Sequence, residues 1–206
     1  MKLANIGLAV LTAFGLALAA AKPVNTVVVH HVDIFHEGTA PKVPSIFNNR
    51  QAEILHLAYT TAKKDGHTHP QLLQGIVLQE SSAGASDSYK VVKQDGSRFF
   101  GVTQLTIGAA RDVLKSFPQL KKEYGFQTST DEELIAKLVE NDAFNLEVAS
   151  KYLLILKRYG FDTIKQLALA YNQGPGGAKE KDPDTFDYSN GVMRHIEKLQ
   201  SKQRKT

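Results

Sequence analysis

The run Pro70-Gln71-Leu72-Leu73-Gln74-Gly75-Ile76-Val77-Leu78-Gln79-Glu80-Ser81-Ser82-Ala83-Gly84 decides how this chain reads. Proline suits the first helical position, where its missing N–H costs nothing. Leu72, Leu73, Ile76 and Val77 then recur at the three-to-four-residue spacing of an apolar helical stripe. The stripe reaches Glu80 and dissolves into two serines and a glycine, so a core helix opens onto a loop at an acidic side chain. Burial beside apolar neighbours disfavours a charged carboxyl group and raises its pKa. A glutamic acid kept protonated near neutral pH can donate that proton to a glycosidic oxygen. Taken alone, a glutamate at a helix end is more often an ordinary surface residue, so Glu80 needs company before it means anything.

Outward from this run the period stays helical. Phe47, Ala52, Leu55, Ala58 and Ala62 fall near one face and stop before Asp65-Gly66. Tyr89–Val92 and Arg98–Phe100 flank Asp95-Gly96, which predicts a small hairpin. Thr106 is placed to cap a helix carrying Ala109, Ala110, Val113 and Leu114, closed by Pro118. Thr130-Asp131-Glu132-Glu133 has the pattern of a capping box ahead of Leu134, Ile135, Leu138 and Val139. A longer helix runs through Leu146, Ala149, Tyr152, Leu153 and Leu156 to Gly160, a natural C-cap. Asp162 is placed to cap the next, which carries Ile164, Leu167, Ala168 and Tyr171 and breaks at Gly174-Pro175-Gly176-Gly177. Val192, Ile196 and Leu199 mark a last helix before the basic tail of residues 201–206. The expectation is one mainly α domain over residues 46–200, with a small β-hairpin.

Composition narrows the function. A chain that is 42% hydrophobic and 22% charged is an ordinary globule. The net charge of +4, from 25 Lys and Arg against 21 Asp and Glu, is too small and too dispersed to indicate nucleic acid. The absence of cysteine excludes thiol catalysis, disulfides and cysteine-based metal sites. In residues 1–21, Lys2 precedes an apolar stretch from Ile6 to Ala20, and Ala17-Leu18-Ala19 and Ala19-Ala20-Ala21 both fit signal-peptidase cleavage. This segment reads as a secretory signal, with an uncleaved membrane anchor as the rival, and both imply export. Residues 22–45 form an extension punctuated by Pro23, Pro41 and Pro44, with Thr26-Val27-Val28-Val29 as a tether or an edge strand. His30, His31, His36, His67 and His69 lack partners at zinc-site spacing, so no metal is expected. Ser81 and Ser82 lack a Gly-x-Ser-x-Gly context for a serine hydrolase.

Two further segments join Glu80. Gly101-Val102-Thr103-Gln104-Leu105 sets an amide before a capped helix, where Gln104 can bind a sugar hydroxyl or N-acetyl group through paired donor and acceptor. Leu169-Ala170-Tyr171-Asn172-Gln173-Gly174 ends a helix with an aromatic ring and an amide before a sharp turn. A tyrosine there can pack on a sugar face and hydrogen-bond through its hydroxyl. In this order the segments resemble the catalytic domain of soluble lytic transglycosylases, a lysozyme-like family related in fold to goose-type lysozyme. The resemblance rests on Glu80-Ser81, Gly101-Val102-Thr103-Gln104 and Ala170-Tyr171-Asn172-Gln173-Gly174. It is helped by Asn145-Leu146 with Ala149 and Tyr152-Leu153, and by Tyr188 with Val192, and covers about residues 46–200. Thr103 stands where the family has Met, which makes that cleft wall more polar. Tyr188-Ser189-Asn190-Gly191-Val192 replaces a direct Tyr-Val step.

The resemblance implies a single catalytic Glu80, with Ser81, Gln104, Tyr171, Asn172 and Tyr188 around the substrate and Ser81 orienting Glu80 by hydrogen bond. It implies cleavage of the β-1,4 bond from N-acetylmuramic acid to N-acetylglucosamine in peptidoglycan glycan strands. Glu80 would protonate the leaving oxygen, the substrate's N-acetyl group would assist, and the carboxylate would then take the C6 hydroxyl proton as a 1,6-anhydro ring closes. No cofactor is implied. A two-carboxylate muramidase would need a second acid, for which Asp87 and Asp95 are the candidates. A non-catalytic glycan-binding or virion structural module is the reading from another class. The expected state is an exported monomer serving wall turnover, an envelope-spanning machine or phage lysis.

Overall fold

The computed structural model describes residues 42–85, 99–126 and 130–203. Among them are eight helices and one two-stranded antiparallel sheet. The helices are α1 (Asn49–Lys64), α2 (Gln71–Ser81), α3 (Ile107–Ser116), α4 (Gln119–Glu123), α5 (Asp131–Glu140), α6 (Asp142–Arg158), α7 (Ile164–Ala178) and α8 (Asp187–Gln203). The strands are β1 (Phe99–Phe100) and β2 (Leu105–Thr106), between α2 and α3. The mainly α architecture expected from periodicity is the one observed.

Local chemistry accounts for most helix ends. Asn48 caps α1 in a reciprocal box with Gln51, Thr106 caps α3 through Ala109 N, and Thr130 caps α5 through Glu133 N. Pro70 is the N-cap of α2, one residue outside the helix. The start of α7 differs from expectation: Thr163, not Asp162, is the cap. Thr163 lies three residues before Gln166, so the two can satisfy each other's backbone N–H groups, and Gln166 Oε1 also accepts from Asp162 N at 3.1 Å. Gly174 sits at φ 70°, ψ 164° inside α7, so the expected break is a kink between two helical stretches.

Two helices organise the packing. Every residue from Leu72 to Leu78 of α2 is buried, as is every residue from Phe144 to Ser150 of α6. A helix buried on all sides lies at the centre of its domain. The long α6 packs against α1, α2, α3, α5 and α7, while α2 packs mainly on α1 and α8. Polar contacts lock the frame where the core ends. Asp65, after α1, receives Ser150 Oγ at 2.6 Å and Lys151 Nζ at 2.6 Å from α6. His67 Nε2 lies 3.0 Å from the Ser150 carbonyl oxygen and donates to it, and burial pushes its pKa down. This histidine therefore fastens the α1–α2 connection to α6. Among the described residues no cluster of three His, Asp or Glu could hold a metal, and no helix is long and apolar enough to cross a membrane. His30, His31, His36 and residues 1–41 as a whole lie outside the described residues.

The expected hairpin over 89–100 lies outside the described residues except for Phe99 and Phe100, which pair forward with Thr106 and Leu105. The turn of that pair is Gly101–Gln104, seated on α5 and α6. Gly101 has φ +73°, and a Cβ on it would overlap the Leu138 carbonyl oxygen and the Asn145 amide. Both neighbours are held inside packed helices and cannot yield. Gly101→Ala should therefore cost at least about 3 kcal/mol, from strain and overpacking together. In thermal unfolding this appears as a midpoint lower by roughly 6–12 °C, and a fall of less than a few degrees would contradict the account.

Candidate active site

Glu80 is the penultimate residue of α2, and α2 ends in an uncommon way. Ser82 and Ala83 have φ of 52° and 54°, and Gly84 follows at 70°. Left-handed backbone is unfavourable for residues with a Cβ. It is held here by bonds from Ser82 N to Leu78 O and from Ala83 N to Val77 O, and by full burial of Ala83. Gln51 of α1 also donates to the Ser82 carbonyl at 2.9 Å. The third non-glycine with positive φ among the described residues is Gln104, at 49°. All three thus lie in the two loops that meet at Ser81, and strain of this kind concentrates at functional sites.

The second loop is clamped by a residue that sequence reading used only as a family match. Asn145 is fully buried in α6. Its Oδ1 accepts from Thr103 N at 2.9 Å and Thr103 Oγ1 at 2.7 Å, and its Nδ2 donates to the Phe100 carbonyl at 3.0 Å. Tyr171 of α7 completes the clamp by donating its hydroxyl to the Thr103 carbonyl at 2.9 Å. The signal was there to find: an asparagine inside the apolar run of α6 must be matched by partners or lose several kcal/mol. Thr103 does not make the polar cleft wall that its place in the motif leads one to expect. It is fully buried and its hydroxyl is spent on Asn145.

Around these two loops the expected site residues fall as follows. Ser81 does not orient Glu80 by hydrogen bond. Its proton goes to the Val102 and Val77 carbonyls at 2.8 and 3.2 Å, and its oxygen accepts from Gly84 N, so it stitches the end of α2 to the Gly101–Gln104 turn. Tyr188 is the residue that holds the acid: its hydroxyl donates to Glu80 Oε1 at 2.5 Å from the start of α8. Gln104 is half-buried and its Nε2 donates to the Gly101 carbonyl at 2.8 Å, which leaves its Oε1 and one N–H for a ligand. Tyr171 is buried edge-on against Tyr152, ring centroids 5.8 Å apart, and acts as a brace whose hydroxyl is already used. Asn172 is exposed and accepts from Gln173, which in turn accepts from Lys181. Asp87 and Asp95 lie outside the described residues.

Burial pushes the Glu80 carboxyl up to about 7, against a partial opposing pull from the Tyr188 hydrogen bond. No charged side chain among the described residues contributes to this shift. Tyr188 and Tyr171 are pushed well above the ordinary phenol range, first by burial and then, among other causes, by the Glu80 charge, so both stay protonated. Among the described residues the arrangement is a single carboxyl, pushed up toward neutrality by burial, beside two phenols that cannot compete for its proton. Two shallow depressions flank exposed Tyr159, and Glu80 lines neither of them. No family model, curated protein or solved structure matches the chain.

Two outcomes follow from the shifted carboxyl. Its pKa is higher folded than unfolded, so the folded state gains from the protonated form below the ordinary value of 4.5 and loses that gain as pH rises through about 7. At pH 8 Glu80→Gln should be more stable than wild type by on the order of 3 kcal/mol, and the advantage should vanish near pH 4. Urea unfolding at the two pH values reads this directly. Tyr188→Phe removes a bond that favours the carboxylate, so it should move the Glu80 titration to still higher pH. A shift downward would show that the hydroxyl does not act on the ionised form.

Proposed function

We propose that this chain is an exported peptidoglycan lytic transglycosylase with a lysozyme-like domain, and that Glu80 is its acid and base. The observation that carries the reading is the Glu80 carboxyl at the end of a buried helix, bonded at 2.5 Å by the Tyr188 hydroxyl and pushed up to about 7 by burial. Protonated, Glu80 delivers its proton to the oxygen linking N-acetylmuramic acid to N-acetylglucosamine. The carboxylate left behind is stabilised by the Tyr188 hydroxyl and then removes the proton from the sugar's C6 hydroxyl. As that oxygen closes on the anomeric carbon, the product is a 1,6-anhydro sugar and Glu80 is protonated again. A pKa near the working pH suits a group that must give and regain a proton in each turnover. Among the described residues, Gln104, with its Oε1 and one N–H, and Asn172, with its Nδ2 group, are the amides placed to meet the glycan. The apolar leader of residues 1–21 agrees with a substrate outside the cytoplasm.

The test is digestion of purified peptidoglycan by the wild-type protein and by Glu80→Gln, with released muropeptides read by mass spectrometry. Anhydro-muropeptides, lighter by one water than hydrolysis products, are expected from wild type. Glu80→Gln should lower their release by at least about a thousandfold, the scale of a lost general acid with its proton transfer. Reducing-end products would mean a muramidase and direct attention to Asp87 and Asp95. No release from either protein would leave a glycan-binding module.

A further inference from the structure

The helices that carry Glu80 and Tyr188 are joined at two glycines that have no conformational reason to be there. Gly75 lies within α2 and Gly191 within α8, and neither has a positive φ. A glycine inside a helix costs about 1 kcal/mol relative to alanine, so space is the remaining reason for it. A Cβ on Gly75 would come within 2.9 Å of Val192 Cγ1 and of Ile196 Cγ1, and within 3.0 Å of the Val192 carbonyl oxygen. A Cβ on Gly191 would overlap Gln79 Oε1. The contacts therefore run in antiparallel register: Gly75 on Val192 and Ile196, Gln79 on Gly191, and Glu80 under Tyr188.

We propose that Gly75 is a positioning residue: by leaving out a side chain where α2 meets α8, it lets the Tyr188 hydroxyl reach the Glu80 carboxylate. Carbon atoms rest about 3.5–4.0 Å apart, so a methyl group at position 75 needs the helices roughly 1 Å further apart. The Val192 carbonyl is backbone and cannot rotate away, and Val192 and Ile196 are β-branched and stiff at χ1. A Tyr188–Glu80 bond of 2.5 Å lengthened by that amount is no longer a hydrogen bond. Gly191 is the softer half of the seam, because the Gln79 amide facing it is the end of a flexible side chain. The titratable groups that face Glu80 are Tyr188 from α8 and Tyr171 from α7, and no charged side chain from the other described elements acts on it. Loss of the Tyr188 bond therefore registers cleanly in the Glu80 titration. The proposal rests on the transglycosylase reading only for its catalytic consequence, since the proton equilibrium of Glu80 can be measured without any substrate.

The experiment is carbon-13 NMR titration of glutamate carboxyl groups in the purified protein, with the Glu80 signal assigned by its loss in Glu80→Gln. Gly75→Ala should displace the Glu80 midpoint to higher pH by the amount seen in Tyr188→Phe. Combining the two changes should add nothing further. Gly75→Ala with Val192→Ala, which removes one of the three close contacts and leaves those of Ile196 Cγ1 and the Val192 carbonyl, should move the midpoint part of the way back toward the wild-type value. A folded Gly75→Ala protein with an unchanged midpoint would overturn the proposal, as would a shift that adds to that of Tyr188→Phe. Should Gly75→Ala not fold, the pair with Val192→Ala carries the test, because two of the close contacts persist in it: a midpoint raised, by no more than in Tyr188→Phe, supports the proposal, and a wild-type midpoint sinks it. A failure to cleave peptidoglycan would remove the transglycosylase reading and leave these titrations standing.

Discussion

Keeping the Glu80 carboxyl out of water at the C-terminal end of α2 opposes two electrostatic preferences at once. Desolvation penalises its ionised form, and the negative end of the helix dipole penalises it again. The remaining helices are arranged so that this unfavourable placement persists. Burial of α2 from Leu72 to Leu78 holds the helix in the core, and the left-handed exit at Ser82 and Ala83 turns the chain away directly after the acid. Among the described residues, one phenolic proton from α8 is the compensation the carboxylate receives. The result is a group whose protonated and ionised forms are close in free energy, which a proton-transfer step requires and a stability-optimised protein would avoid.

The acid is only one wall of the site. The opposing turn, Gly101–Gln104, has almost no regular structure of its own and takes its shape from α6 and α7. Asn145 and Tyr171 supply four hydrogen bonds to Phe100 and Thr103, and Ser81 ties the same turn to α2. Among the described residues no buried side-chain nitrogen or oxygen lacks a partner. A fully satisfied polar network of this kind specifies one geometry, since any displacement leaves a buried group unpaired. Gln104 can thus adopt a positive φ with its amide fixed to the Gly101 carbonyl, a posture that a loop on the surface alone would not keep.

Much of this was legible in the residues. The helices announce themselves by period and caps because those signals are local: a threonine three residues before a backbone N–H needs no tertiary contact to find it. Thr106 and Thr130 cap their helices where the local pattern puts them, and the cap of α7 falls on Thr163 in place of Asp162 because two adjacent residues offer a capping oxygen. The upward push on the Glu80 pKa is also foreseeable, from an apolar stripe ending in a carboxylate. The assignments that moved were those of direction. The structure ties the segments of Ser81, Thr103 and Tyr171 together, yet their polar atoms point inward to backbone and to Asn145.

The sequence by itself determined a mainly helical domain and the burial of the helix that ends in Glu80. Periodicity, capping and desolvation are properties of neighbouring residues, and so they survive in one dimension. Only the tertiary structure decided which side chain touches the acid. Tyr188 lies 108 positions away from Glu80, and their hydrogen bond depends on how closely α8 approaches α2. That approach is set by two helical glycines, whose missing side chains carry no periodic signal and acquire meaning only when Val192, Ile196 and Gln79 are seen facing the gap.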